Sequence, residues 1–143
     1  YVGVVVLINN QQYCIPLTSP KNKFIHKKSQ VDFIKIFDIK QKQNGNLKII
    51  GILNVNNMIP VNTDVIKKID LRIKDHDANA TKNYKQLMQK ELNWCRKNST
   101  VIMNRANKVY NLVVNTPDKN MNLTKRSLKF KKLENALKKY NRL

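Results

Sequence analysis

Acidic side chains are scarce in this chain: 9 Asp and Glu face 28 Lys and Arg over 143 residues, a net charge of +19. A surface positive almost everywhere makes a polyanion the expected partner. Arginine is scarce as well, 5 against 23 Lys, which favours point-charge contacts to phosphates over the forked contacts that Arg makes to guanine edges. There are two cysteines, Cys14 and Cys95, and two histidines, His26 and His76, with no CxxC or HxxxH spacing, so no zinc ligand set can be assembled. Two lone thiols without a secretion signal read as reduced and buried, in keeping with a cytoplasmic protein. No apolar stretch approaches the roughly 20 residues of a spanning helix, so nucleic acid is a better partner than a membrane. Internal repeats and low-complexity linkers are absent too, and residues 1–143 read as a single domain, long enough to bury about 70% of its unfolded surface. The chain opens at Tyr1 in mid-pattern, with neither a methionine nor a turn before it; an upstream segment is expected.

The first part of the chain reads as short strands. Val2 to Ile8 is a β-branched run ending at Asn9-Asn10-Gln11-Gln12, which predicts a strand and a hairpin turn, with Tyr13 to Leu17 as its antiparallel partner. Pro16 marks that partner as an edge or a strand end. Asp32 to Ile39 alternates as a third strand, Asn44-Gly45 makes a turn, and Leu47 to Leu53 is a fourth strand in which Gly51 predicts a bulge or bend. After a turn at Asn54-Val55-Asn56-Asn57, Met58 to Val61 is the fifth. Such a meander is expected to curl into a small barrel. Residues 62–74 fit either a strand or a short helix.

The remainder has helical spacing. A helix capped at Asp77, Asn79 or Thr81 runs through about Asn98, Ser99 caps a second that Pro117 stops, and a third runs from Asn122 or Thr124 through Tyr140. Glu91 is the only acid of the first helix and stands on its apolar side with Leu87 and Cys95. A salt bridge to a lysine is the expected account.

The stretch most able to carry chemistry is Tyr13-Cys14-Ile15-Pro16-Leu17-Thr18-Ser19-Pro20-Lys21. Each proline fixes its own φ and pushes the preceding residue toward extended geometry. The Thr18 and Ser19 hydroxyls therefore leave the strand end in few directions, with an ammonium close behind. Two neutral donors and a cation suit an oxyanion or phosphate, although a Thr-Ser-Pro turn is also ordinary loop chemistry. The loop that follows is basic and exposed, with Lys21, Lys23, Lys27 and Lys28 around one aromatic, Phe24. A base stacked on that ring and a ring that merely pins the loop to the core are equally good readings.

PLTSPK, taken with Ile50-Gly51-Ile52-Leu53-Asn54, with Met58-Ile59-Pro60-Val61, and with Tyr84, Leu87, Glu91 and Asn98, resembles the ToxN/AbiQ family of endoribonuclease toxins from type III toxin–antitoxin systems. The resemblance covers essentially the whole chain. It implies an α+β fold, a compact twisted antiparallel barrel like those of Kid and MazF, SH3-like, followed by packed helices. It implies metal-independent chemistry without a cofactor. The implied partners are cellular or phage RNA and an antitoxin RNA of pseudoknot repeats, cut from a precursor and then bound as inhibitor, in an assembly that can close as a protein–RNA ring. Ser19 matches the family's key active-site position, and Thr18 and Lys21 match its neighbours. The family's further basic residue and tyrosine lie upstream of the motif.

Without a metal, RNA scission most simply uses the substrate's own 2′-hydroxyl, leaving a 2′,3′-cyclic phosphate and a 5′-hydroxyl. Thr18 and Ser19 are then expected to hydrogen-bond the phosphate and Lys21 to neutralise it. Lys23, Phe24, His26, Lys27, Lys28 and Tyr13 are the expected RNA contacts. His26 is either an acid–base group or a solvated surface residue. A non-catalytic RNA-binding module is the competing class, since +19 and the basic third helix suffice for it. DNA is not expected, because no helix carries an Arg-, Asn- and Gln-rich recognition pattern.

Overall fold

The computed structural model describes residues 2–28, 30–43 and 45–141, with the backbone alone at 39 and 41–43. Its strands are β1 (Gly3–Ile8), β2 (Gln11–Thr18), β3 (Phe33–Gln43), β4 (Asn46–Asn54) and β5 (Ile59–Val61). β1 and β2 join through Asn9 and Asn10, at φ of 49° and 64°. Primed two-residue turns require this left-handed region, and Asn tolerates it. The turn is shorter than the four residues read from the sequence, so Gln11 and Gln12 belong to β2. In the turn expected at Asn44-Gly45, Gly45 has φ 79° and Asn44 lies outside the described residues.

The strand order is β1-β2-β4-β3, with β5 also on β2. Among the described residues β1 and β3 do not pair, and the small barrel expected takes the form of a curled half-barrel. β2 carries β1 along one edge while its other edge is divided. β5 takes Gln12 to Cys14 and β4 takes Leu17 and Thr18. Pro16 falls between these two partners, where its missing N–H forfeits no ladder bond. It is thus inside a strand and not at its end. Across from it, Gly3 is required by close approach, since a Cβ there would meet the Ile15 carbonyl oxygen at 2.3 Å. In β4 the register slips between Gly51, opposite Ile36, and Ile49, opposite Phe37, which puts the irregularity at Ile50, one residue before the Gly51 expected to bulge or bend.

The helices are α1 (Asn22–Ile25), α2 (Asn79–Lys97), α3 (Ser99–Asn115), α4 (Met121–Arg126) and α5 (Phe130–Asn141). Residues 62–74 form neither the strand nor the helix considered for them; with residues 75–78 they cross α2 as an irregular strap, tied by Gln89 Nε2 donating to the Leu71 carbonyl at 2.7 Å. α3 packs on β1, α5 on β5 and α2 on β3. Between them Tyr13, Tyr110 and Phe130 form an aromatic cluster with ring centroids 5.7 to 5.9 Å apart. Ser99 does not cap α3 but begins it. Asn98 is the residue between the two helices, and its amide is spent on the Trp94 carbonyl of α2. The single third helix expected is two, broken at Ser127, where Asn56 reaches over. Its Nδ2 donates to the Arg126 carbonyl at 2.9 Å and its carbonyl accepts from Leu128 N at 3.0 Å. Among the described residues no helix is long and apolar enough to cross a membrane.

Candidate active site

β2 ends at Thr18, half-buried and paired with Ile52 of β4. Its Oγ1 accepts a 3.0 Å hydrogen bond from Nδ2 of Asn54, the buried last residue of β4. Ser19 follows in irregular backbone with its side chain in solvent, and Pro20 is half-buried. Lys21 is exposed and leads into α1, its carbonyl accepting from Phe24 N at 2.8 Å and Ile25 N at 3.2 Å. The motif thus carries, at consecutive positions, one hydroxyl anchored to the sheet and one without a hydrogen bond among the described residues, with a lysine two residues on. Such a set can donate to the nonbridging oxygens of a phosphate and balance their charge.

The loop beyond is built rather than loose. The short α1 was not legible in the sequence. Phe24 is half-buried, its ring 4.9 Å from that of the buried Phe33 and tilted 58° to it, while Lys23 Nζ lies 4.9 Å from the ring's centre. A ring engaged by both favours the pinning reading over base stacking. Lys35, on β3, turns its ammonium onto the Ile25 and Lys27 carbonyls, the former at 3.4 Å. It therefore fastens the loop instead of facing RNA. Lys27, Lys28 and His26 stand exposed.

Two nearby arginines are also committed to the frame. Arg105 Nη1 donates to the Gln30 carbonyl at 2.6 Å, and Arg126 pairs with the buried Asp32 at 2.6 Å. Among the described residues, the lysines beside the motif without a salt bridge are Lys21, Lys23, Lys27 and Lys28, of which Lys23 also rests over the Phe24 ring. Among the described residues no three His, Cys, Asp or Glu side chains converge as a metal site would need.

Tyr13 is the clear correction. It has no exposed surface and lies in the core between Tyr110 and Phe130, so it cannot touch RNA. Its hydroxyl is buried without a hydrogen-bond partner of acceptable geometry. Burial, and secondarily the nearby Glu134 charge, hold it far above the usual phenol range. The Glu134 carboxylate instead accepts from the Tyr110 hydroxyl at 3.0 Å.

Glu91 also departs from expectation: it makes no ion pair among the described residues. At 5% exposure it sits against Gly51, in the wall of a groove of about 730 Å³ that Leu17 also lines. Burial pushes its carboxyl up to about 7. Asn54, expected to open a turn, instead closes β4 and has no part in the site expected from the sequence. Its one signal was its place at the end of the Ile50-to-Asn54 segment.

The family described as toxin ToxN of type III toxin–antitoxin systems matches residues 1–138. An endoribonuclease ToxN from Bacillus thuringiensis subsp. kurstaki is 39% identical over 110 residues, which are 77% of this chain and 50% of that protein. The chain thus spans about half the length of that relative. Two solved structures share the fold. One, from work on selective inhibition of a type III toxin by a non-coding RNA pseudoknot, has a TM-score of 0.75 at 32% identity and covers 99% of this chain and 79% of its own. The other is AbiQ, a lactococcal anti-phage endoribonuclease, with a TM-score of 0.71 at 27% identity, covering 94% and 75%. With 138 of 143 residues matched by one family and the half-barrel and helices shared with solved members, this chain belongs to the ToxN family of type III toxin–antitoxin toxins.

Proposed function

We propose that the chain carries the cleavage centre of an endoribonuclease toxin, with its scissile phosphate held at Thr18, Ser19 and Lys21. The observation that carries this reading is the exposed Ser19 hydroxyl, adjacent to a sheet-anchored Thr18 and beside unspent lysines. In the proposed step the ribose 2′-oxygen attacks the neighbouring phosphorus. The P–O2′ bond forms, the P–O5′ bond breaks, the 2′-hydroxyl proton passes to a base, and the departing 5′-oxygen takes one up. The products are a 2′,3′-cyclic phosphate and a 5′-hydroxyl. Nothing in the scheme calls for a metal ion. Ser19 and Thr18 donate to the nonbridging oxygens while Lys21 balances the charge that grows on them. Lys23, Lys27 and Lys28 hold flanking phosphates.

The proposed partner and inhibitor is an RNA of pseudoknot repeats that the toxin itself processes. The neighbour inhibited by a non-coding RNA pseudoknot supports it, and the relatives' names support the endoribonuclease reading. The likeness of the barrel to Kid and MazF is part of the same reading. The test uses purified full-length protein, A-rich RNA and EDTA. Cleavage with cyclic-phosphate ends, lost on Ser19→Ala, is the expected result. Binding without cleavage would leave a non-catalytic RNA-binding module, and cleavage undiminished by Ser19→Ala would move the centre elsewhere.

A further inference from the structure

We propose that Asn54 is a positioning residue that presets the Thr18 hydroxyl as a hydrogen-bond donor toward the RNA phosphate. The inference rests on the reading of Thr18 as a phosphate ligand and deepens it. A hydroxyl offers one O–H and two acceptor lone pairs, whereas the NH₂ of an amide only donates. With Asn54 Nδ2 seated at 3.0 Å on Oγ1, a lone pair of Thr18 is committed inward and its O–H turns away from the sheet. No other hydrogen bond engages this hydroxyl among the described residues. A donor aimed before substrate arrives needs no reorganisation when charge develops, which is the condition for strong transition-state stabilisation.

The frame behind Asn54 is rigid. Asn54 is 9% exposed and pairs with Phe33 at the end of β4. The next two residues, Val55 and Asn56, both donate their backbone N–H to the Asp32 carbonyl, at 2.9 and 3.3 Å. Asp32 is in turn fixed by Arg126. The amide therefore has little freedom to release Thr18.

Replacing the amide by the isosteric carboxylate reverses the polarity of the contact. In Asn54→Asp the ionised side chain only accepts, so it draws the Thr18 O–H inward, away from the phosphate. A protonated carboxyl can donate as the amide does. Full-length Asn54→Asp, Thr18→Val and the double variant are compared in single-turnover and steady-state RNA cleavage, with circular dichroism confirming the native fold. The expected result is a fall of roughly 10- to 100-fold in kcat for Asn54→Asp, KM within about threefold, a double variant no slower than Thr18→Val, and a defect that shrinks as pH falls from about 7 toward about 4, where the carboxyl takes up its proton. Native kcat in Asn54→Asp, a loss additive with that of Thr18→Val, or a defect indifferent to pH would overturn the proposal. Should Asn54→Asp fail to fold, Asn54→Ala, which removes the donor without adding charge, enters the same double-variant comparison and must likewise be no slower with Thr18→Val than Thr18→Val alone. If Thr18→Val cleaves at the native rate while Ser19→Ala is inactive, the site stands and the role of Asn54 falls. If Ser19→Ala cleaves normally, the reading of the motif falls with it.

Discussion

At the scale of single residues, exposure separates chemistry from architecture in the Tyr13 to Lys21 stretch. Ser19 is exposed and its side chain makes no hydrogen bond among the described residues, so Ser19→Ala is expected to reduce cleavage by 100-fold or more while leaving Tm within about 2 °C. Tyr13 is the opposite case. Its hydroxyl is buried beside the Glu134 carboxylate without a well-formed hydrogen bond among the described residues, so Tyr13→Phe relieves a desolvated polar group. It is expected to raise stability by about 1 kcal/mol, with RNA affinity unchanged in a fluorescence titration. Glu91 makes stability depend on pH. Its folded pKa, about 7, lies above the ordinary 4.5 because burial disfavours the charge. The folded state then holds the proton more tightly than the unfolded state. The associated stability is fully present below pH 4.5 and is lost as pH rises through about 7. Glu91→Gln should therefore be more stable than the native protein at pH 8, by about 3 kcal/mol at most, with the difference vanishing near pH 4 in urea titrations. Equal stability of the two at pH 8 would show that the ionised carboxylate is solvated in its groove.

At the scale of elements, the site depends on how a basic loop is fastened to a sheet. Lys35 reaches from β3 to the carbonyls of Ile25 and Lys27, and Phe24 rests on Phe33. Lys35→Met removes the ammonium while retaining most of the stem. Faster amide hydrogen exchange over residues 24–28 is expected, together with a several-fold loss of kcat/KM and little change in Tm. Unaltered exchange would place the restraint on Phe24 alone. Gly3 performs the corresponding role for the β1–β2 pair. Gly3→Ala drives a methyl into the Ile15 carbonyl and should destabilise the protein by about 2 to 3 kcal/mol, read as a lower midpoint in denaturant.

Across the whole molecule, positive charge governs how the surface meets a partner. Fixed cations such as Arg105 and Arg126 hold the frame, but most lysines have no acid to meet, since Lys and Arg outnumber Asp and Glu by 28 to 9. RNA binding should accordingly weaken steeply with salt, because neutralising phosphates releases their counterions. Replacing Lys21, Lys23, Lys27 and Lys28 together by Gln in the Ser19→Ala background should reduce the slope of log K against log salt by roughly 3, at about 0.7 per phosphate contact on single strands. An unchanged slope would locate the RNA on the helical face.

Much of the protein was legible from its residues. Five strands and the long helices follow from periods of two and of 3.6, because burial of one face imposes those repeats whatever the neighbours are. The charge and the stiff Thr18-Ser19-Pro20-Lys21 run are equally local properties. What adjoins what was decided only by tertiary packing. Tyr13 lies in an aromatic core because α3 and α5 close over β2, and the last helix is cut in two because Asn56, some 70 residues earlier, takes up its backbone groups. Phe24 is pinned because Phe33 comes beneath it. β2 divides one edge between two partners, a division no local pattern encodes. The Asn54 to Thr18 contact spans 36 residues and belongs to the same class: a hydrogen bond between distant residues has no period, and only the folded chain specifies it.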